Sequence, residues 1–455
     1  MMLTQLSQIV DGSITGADVS FDSVSIDSRT LTSGALFVAL KGPNFDGHNY
    51  ISAARERGAS AALVSENISD ALPAVKVSDT RLALGKLAAS WRSGFDLPVV
   101  AVTGSNGKTT VKEMLGSIFA QACGGDKDRV LSTIGNLNND LGLPLTLLRL
   151  RKPHRYAVTE MGMNHPGELT YLSGLARPDV AVITNAAEAH LQGLHSVEGV
   201  ARAKSEIFSG VHAGGTAIIN EDDSFASLWR ELAGDLNIIG FSLQHDADVT
   251  ADFDLYNDHS KVNLHTPWGA ASCRLASPGK HNISNALAAA AAAGAVGISL
   301  TDIMAGLETW QGVRGRLQAR KINGLHVIDD TYNANPASIT AALEVLSMQP
   351  GTKVFVMGDM GELGQSSDSL HRQVGELAKD LGIDACFTLG EQSTLTAKAF
   401  GHHAQSFTEA EQLVSALQQD IRASWNPPVN ILVKGSRAMK MEHIIELLAK
   451  HGMGD

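Results

Sequence analysis

Four apolar residues, Val99-Val100-Ala101-Val102, run straight into Thr103-Gly104-Ser105-Asn106-Gly107-Lys108-Thr109-Thr110, and the helix-compatible Val111-Lys112-Glu113-Met114 follows. The apolar run reads as a buried strand and the glycines as a tight turn into a helix. Glycine lets backbone N–H groups approach phosphate oxygens, and the helix N-terminus adds partial positive charge. Lysine at 108 is then placed to reach the β- and γ-phosphates, and a threonine hydroxyl to hold Mg²⁺. The longer form of the pattern has glycine at 102, where Val stands, so only the short GxxGK[ST] form is present. A glycine-rich turn with an incidental lysine is the bland alternative; a strand before and a helix after favour a bound nucleotide.

Short apolar runs recur at 99–102, 156–159, 180–184, 217–219, 327–328, 354–357, 385–389 and 429–433, with helical patterns between them. That alternation predicts an α/β fold with mainly parallel sheets. Many of the runs end in polar or glycine-bearing segments, among them TEMG, TNAAEAH, DDTYNANP, MGDMGELG and KGSR. In open α/β sheets the ligand crevice lies at the carboxyl ends of strands, so functional residues are expected there. Joints near 94–98 and 312–320 divide the 455 residues into three expected domains, 1–96, 97–312 and 313–455, each of ordinary domain size.

The formal charge of -12 argues against a nucleic-acid-binding protein, which usually presents a basic face, yet a local cluster of cations can still hold an anionic substrate. Three cysteines, Cys123, Cys273 and Cys386, are odd in number and far apart, which supports neither a disulfide framework nor a zinc site. A reducing cytoplasm is the expected compartment. Residues 1–11 lack a basic segment followed by a long apolar run, so no secretory leader is expected. The most membrane-like stretch, 286–300, is about 15 residues of mostly Ala and Gly, short of the ~20 needed to span a bilayer, and reads as a close-packed core helix.

Beyond the loop, TIGNLNNDLGLPLTLL (133–148), EMGM (160–163), ITNAAEAHL (183–191), AKSEIF (203–208), GKHNISNALAAAA (279–291), RGR (314–316), DDTYNANP (329–336) and KGSR (434–437) follow in order. Together with TGSNGKTT, this series resembles the Mur ligase family over nearly the whole chain. The resemblance implies an N-terminal UDP-sugar-binding α/β domain, a central phosphate-loop ATPase-like domain and a C-terminal Rossmann-like domain. It implies ATP and Mg²⁺ as cofactors and an amide-forming reaction in peptidoglycan precursor synthesis. DDTYNANP with GDMGELG and KGSR is similar to the family member that adds D-alanyl-D-alanine to UDP-N-acetylmuramoyl-tripeptide; SIDSR (25–29) and LKGPNFDGHNYI (40–51) fit its UDP-sugar domain. A monomer with no membrane insertion and no nucleic-acid partner is expected.

The resemblance also assigns roles. Thr103 to Thr110 bind the nucleotide phosphates, with Lys108 on the transferring group. Glu160 becomes a Mg²⁺ ligand near Thr109; alone, a loop glutamate is a solvated charge. His190 becomes a ligand of a second Mg²⁺ or a partner of one of its ligands, although imidazole is an unusual choice for this ion. Lys204 becomes a carbamylated lysine whose added carboxylate binds metal, against the default of a surface lysine on a helix. Asn282 resembles an adenine contact or, more plainly, a helix N-cap. Arg314 and Asp330 resemble phosphate and ribose contacts, Asp330 being equally a strand-end turn residue. Arg316 is a substrate contact or a linker charge. Tyr332, Asn333, Asn335 and Pro336 shape the D-alanyl-D-alanine side with the Lys434 loop opposite, unless NANP is simply a turn. Ser28, Arg29, Asp46, Gly47 and His48 offer donors to uridine and diphosphate, though FDGH also reads as an Asp-Gly turn. Asn136, Asn138 and Asn139 are further substrate candidates. Two other readings stay open: a related ligase adding a single amino acid, such as a folylpolyglutamate synthetase-like enzyme, and a regulatory nucleotide-binding module without catalysis.

Overall fold

The computed structural model describes residues 1–188, 191–425 and 427–450. Its architecture is mixed α/β with mainly parallel sheets, and each of the eight expected apolar runs falls on a strand, the run 180–184 overrunning Val180–Ile183 by one residue. The central sheet has six parallel strands in the order Asn237–Phe241, Thr216–Asn220, Val180–Ile183, Val99–Thr103, Tyr156–Glu160 and Val130–Ser132. Successive side chains of a strand alternate between faces. Val100, Val102, Val158, Val182 and Ile218 therefore pack one way, against the helices Lys108–Ala122 and Lys280–Ala295. Ala101, Ala181, Ile183, Ala217 and Ile219 pack the other way, toward Leu169, Leu172 and Trp229. A sheet covered on both faces needs continuous apolar runs, which is what the sequence carries.

The alanine-rich stretch forms the helix Lys280–Ala295, with Ala286 to Ala293 buried. Methyl side chains let it lie close to the sheet and to Lys108–Ala122. Among the described residues no helix is long and apolar enough to cross a membrane.

An N-terminal sheet of five strands is ordered Ser13–Thr15, Ala74–Lys76, Ala61–Val64, Ala35–Val38 and Ser23–Ser25, with the first strand antiparallel. The C-terminal sheet has six strands: Gln318–Ile322 pairs antiparallel with Leu325–Asp330, and Val429–Lys434, Thr352–Gly358, Ala385–Leu389 and Ala404–Phe407 continue in parallel.

A three-stranded antiparallel sheet, Thr250–Leu255, Ser260–Thr266 and Gly269–Leu275, was not among the expected elements. Its signal is a strict alternation: Ser260, Val262 and Leu264 are buried while Lys261 and His265 are exposed. One covered face suffices for such a sheet, so it carries no continuous apolar run.

Candidate active site

The strand Val99–Thr103 lies between Tyr156–Glu160 and Val180–Ile183, so the phosphate loop emerges beside Glu160, at the end of one neighbour, and Thr184, just past the end of the other. Thr103 is buried, and its hydroxyl donates to the Met161 carbonyl at 2.9 Å, tying the strand end to the segment after Glu160. A Cβ at Gly104 would overlap the Thr184 hydroxyl; Gly107, with φ 83°, caps the helix Lys108–Ala122, and a Cβ there would overlap Asn285 Oδ1. Glycine is thus required by both space and backbone conformation. The Ser105 hydroxyl accepts from Ala187 N at 2.9 Å. Asn106 N donates to Asn185 Oδ1 at 2.9 Å, and its carbonyl accepts from Thr184 Oγ1 at 2.5 Å. Lys108 Nζ donates to Gly104 O at 2.7 Å, curling over the loop. Burial pulls its pKa down, the Glu160 carboxylate opposes this, and Arg316 adds to it.

Glu160 is 3% exposed, yet among the described residues both its oxygens take neutral donors: the Thr109 hydroxyl at 2.8 Å and Asn138 Nδ2 at 2.8 Å. A buried carboxylate without a cationic partner is costly, and hard divalent cations favour such oxygen donors. The Glu160 carboxylate and the Thr109 hydroxyl therefore suit Mg²⁺ chemically. Lys204 lies in the last turn of the helix Val197–Ser205 and is 2% exposed, which sets aside the surface-lysine alternative. No described residue hydrogen-bonds its ammonium. Burial holds its pKa well below the ordinary lysine value, and the nearby Lys108 charge pushes the same way. His190 lies outside the described residues.

The C-terminal domain reaches the same place. Arg316 Nη2 donates to Thr109 Oγ1 at 2.9 Å, and its guanidinium stacks 4.3 Å from the centre of the Tyr332 ring. Arg314, the expected phosphate contact, is exposed and does not line the cavity. Of the two arginines in the turn 313–316, only Arg316 lines the cavity and reaches Thr109. Asp330 and Lys434 sit side by side on adjacent parallel strands, with Lys434 Nζ 2.5 Å from Asp330 Oδ2 and 2.9 Å from Asn333 O. Asn335 is the N-cap of the helix Pro336–Ser347, accepting from Ser338 N at 2.9 Å, and its side chain also pairs with Asn106. The NANP segment is thus a helix start rather than a free turn.

These groups share one cavity of about 1200 Å³. Ser105 to Lys108, Thr110, Asn136, Asn138, Asn139, Glu160, Lys204, Asn282, Arg316, Asp330, Tyr332, Asn333, Asn335 and Lys434 all line it. Asn282 lies in the first turn of Lys280–Ala295, whose N-cap is Gly279, so the capping alternative does not hold. Its amide instead donates to Ser277 Oγ at 2.8 Å and Pro278 O at 3.0 Å. Asn139 Oδ1 accepts from Gly142 N at 2.8 Å and so shapes the loop behind the cavity.

None of the N-terminal candidates lines that cavity. His48 Nδ1 donates to Asp46 Oδ1 at 2.6 Å and its Nε2 accepts from Ser65 N at 3.0 Å, while buried Gly47 N donates to Leu40 O at 2.7 Å. Ser28 is half-buried, and Arg29 is exposed in a fork with Asp27 at 2.8 and 2.9 Å. Those Arg29 hydrogen bonds hold the Asp27 pKa down at about 2. The N-terminal domain meets the cavity instead through Asp79, Arg81 and Leu82, with Arg81 3.0 Å from Asp140. Arg81, Asn185 and Thr184 were missed by sequence reasoning. TNAAEAH held the signal for the last two, since a strand followed by Thr-Asn presents two short polar side chains to the neighbouring loop.

A parallel sheet that feeds a phosphate loop, with a buried carboxylate and a buried lysine beside it and a second α/β domain over it, defines a phosphate-loop enzyme working between domains. Family models match along the chain: "Mur ligase family, catalytic domain" at residues 20–92, "Mur ligase middle domain" at 102–293, and "Mur ligase, glutamate ligase domain" at 315–437. The UDP-N-acetylmuramoyl-tripeptide--D-alanyl-D-alanine ligase of Escherichia coli K12 is 44% identical over 459 residues, covering 99% of this chain and 98% of its own. The crystal structure of MurF from Acinetobacter baumannii superposes with a TM-score of 0.92 at 40% identity, covering 98% of each chain. MurF ligase from Thermotoga maritima in complex with ADP gives 0.81 at 26% identity, covering 94% of this chain and 97% of that one. The chain belongs to the Mur ligase family.

Proposed function

We propose that this chain joins D-alanyl-D-alanine to the terminal peptide carboxylate of UDP-N-acetylmuramoyl-tripeptide, using ATP, in peptidoglycan precursor synthesis. The observation that carries the reading is the shared cavity: phosphate loop, Glu160 and Lys204 on one side, Arg316, Tyr332, Asn333 and Lys434 on the other. The near full-length likeness to ligases of that name supports the substrates.

The reaction forms and breaks two bonds in turn. A carboxylate oxygen of the tripeptide attacks the γ-phosphorus, and ADP leaves with the electrons of the broken P–O bond. The amine of D-alanyl-D-alanine then attacks the acyl carbon, loses a proton and expels phosphate through a tetrahedral intermediate. Negative charge grows on the phosphoryl oxygens in the first step and on the acyl oxygen in the second, so fixed donors and cations lower both barriers. The backbone N–H groups of the loop cradle the phosphates, Lys108 turns from Gly104 O onto the transferring group, and Arg316 leaves Thr109 for the same charge. Lys434 and Asn333 bound the acceptor side. Mg²⁺ would be held by Thr109, Glu160 and a carbamylated Lys204, with His190 as a further partner, and when bound it supplies charge neutralisation to the phosphates. Asn282 faces the adenine, and Asp330 the ribose. Ser28, Arg29, Asp46, Gly47 and His48 take the uridine diphosphate, and Asn136, Asn138 and Asn139 border the tripeptide. We place the domain boundaries at 96/97 and 312/313, and the enzyme in the cytoplasm as a monomer.

The test is phosphate release from ATP with UDP-N-acetylmuramoyl-tripeptide. D-alanyl-D-alanine is expected to stimulate it far more than any single amino acid. Equal stimulation by L-lysine, diaminopimelate or glutamate would make the chain a ligase that adds one residue.

A further inference from the structure

Lys112 is a charge in an expensive place. It is the fifth residue of the helix Lys108–Ala122, close to an N-terminus that already carries partial positive charge, and it is 1% exposed. Methionine would fill the same space without desolvating an ammonium, and buried ion pairs are often no more stabilising than apolar replacements. The ammonium has two partners: Glu113 Oε1 at 2.5 Å, on a half-exposed carboxylate, and the Thr133 carbonyl at 2.8 Å.

Thr133 links that charge to the site. It is buried at the start of the loop that carries Asn136, Asn138 and Asn139, and its Oγ1 accepts from Glu160 N at 3.0 Å. The carboxylate of Glu160 is in turn held by Thr109 Oγ1 and by Asn138 Nδ2. Thr109 and Lys112, three apart, share one face of the helix. The contacts therefore close a ring: helix, Lys112, Thr133, Glu160, Thr109 and back to the helix. Glu160 is gripped at its backbone and at both carboxylate oxygens, and Lys112 anchors the loop that supplies two of those three grips.

We propose that Lys112 is a positioning residue which, through Thr133, fixes the Glu160 carboxylate for a divalent cation at the phosphate loop. The proposal rests on the reading of Glu160 as a metal ligand. Groups that orient metal ligands without touching the ion typically contribute about 10- to 100-fold in metal affinity.

The experiment is calorimetric titration of the full-length protein with ADP, with and without Mn²⁺. Thr133→Val keeps the shape of the side chain and removes the acceptor for Glu160 N; Thr133→Ser keeps the acceptor; Lys112→Met removes the charge. Thr133→Val and Lys112→Met should weaken Mn²⁺-dependent ADP binding about tenfold or more and leave metal-free ADP binding unchanged, and Thr133→Ser should bind as the parent does. Should Lys112→Met not fold, Thr133→Val and Thr133→Ser carry the comparison alone. Glu160→Gln separates the two readings. If it loses the Mn²⁺ effect while Thr133→Val and Lys112→Met keep it, Lys112 is a structural anchor and this proposal is overturned. If Glu160→Gln also keeps it, the metal reading falls and this inference with it.

Discussion

Asn106 in the phosphate loop and Asn335 at the N-cap of Pro336–Ser347 exchange two amide hydrogen bonds, Nδ2 of each to Oδ1 of the other, at 3.3 and 2.9 Å across 229 residues of sequence. Neither amide is free to turn away. Asn335 Oδ1 also accepts from Ser338 N, and the Asn106 backbone is pinned by Thr184 and Asn185. The pair sets the C-terminal domain against the loop that grips the phosphates. Asn335→Asp keeps the cap, since aspartate caps as well as asparagine, but turns an acceptor toward Asn106 Oδ1. Ligation is expected to fall about tenfold, the worth of roughly one hydrogen bond, with ADP affinity nearly unchanged and a broader small-angle scattering distance distribution. An unchanged scattering profile and rate would show that the pair does not hold the domains.

Lys108→Ala removes a point charge that rests on loop carbonyls, so the fold should survive. Loss of a contact that matters mainly in the transition state costs about 100-fold or more in rate. Circular dichroism should be unchanged while phosphate release disappears. A folded variant with near-parental turnover would remove the phosphate-loop assignment.

The parts of this site that the sequence made legible are those where one residue type has one use. Glycines 104 and 107 stand where a Cβ cannot fit, and Lys108 follows them, so the loop could be read without coordinates. Strands covered on both faces announced themselves as continuous apolar runs. Arg314 and Arg316 were not separable in the same way, because both are arginines in one glycine-bearing turn and only the backbone path decides which points inward. Lys112 carried no signal at all: a lysine in a helix is normally exposed, and burial at 1% is a property of the tertiary packing. Thr133 opens the TIGNLNN segment, but nothing in that segment singles out the threonine. Arg81 carried none either, since its importance comes from the neighbours that folding brings to it.

His281 gives the chain a pH-dependent stability with a definite sign. Its Nε2 is buried with no hydrogen-bond partner among the described residues. Burial pushes the imidazole pKa down to about 4, against a weak pull from Asp330 and with a push from Lys434. In the unfolded chain the ring titrates near 6.5, so as the pH falls the unfolded state takes the proton first. The contribution of the neutral ring is full above about 6.5, shrinks as the pH falls toward about 4, and is constant below that. The melting temperature of His281→Asn should therefore depend less steeply on pH in that window than that of the parent, by up to about 1.4 kcal/mol of stability per pH unit. Parallel profiles would mean that the folded chain protonates His281 as readily as the unfolded one.

Lys204 is the most exposed prediction. An ammonium at that position would stand in a buried site with the Lys108 charge nearby, and it would repel a divalent cation. A carbamate reverses the sign and supplies hard oxygen donors. Its formation consumes CO₂ and a neutral amine and releases a proton, and burial, which lowers the Lys204 pKa, favours that neutral amine over the ammonium. Lys204→Ala should lose most activity and regain part of it with millimolar acetate or formate, which can occupy the vacated oxygen positions. Lys204→Arg should stay inactive under every condition, because guanidinium keeps its charge. Degassed, CO₂-depleted buffer should slow the parent enzyme, with bicarbonate restoring it, and should leave acetate-rescued Lys204→Ala untouched. A fully active Lys204→Arg, or a parent indifferent to CO₂, would refute the carbamate and leave Thr109, Glu160, His190 and the phosphates as the metal-binding hypothesis.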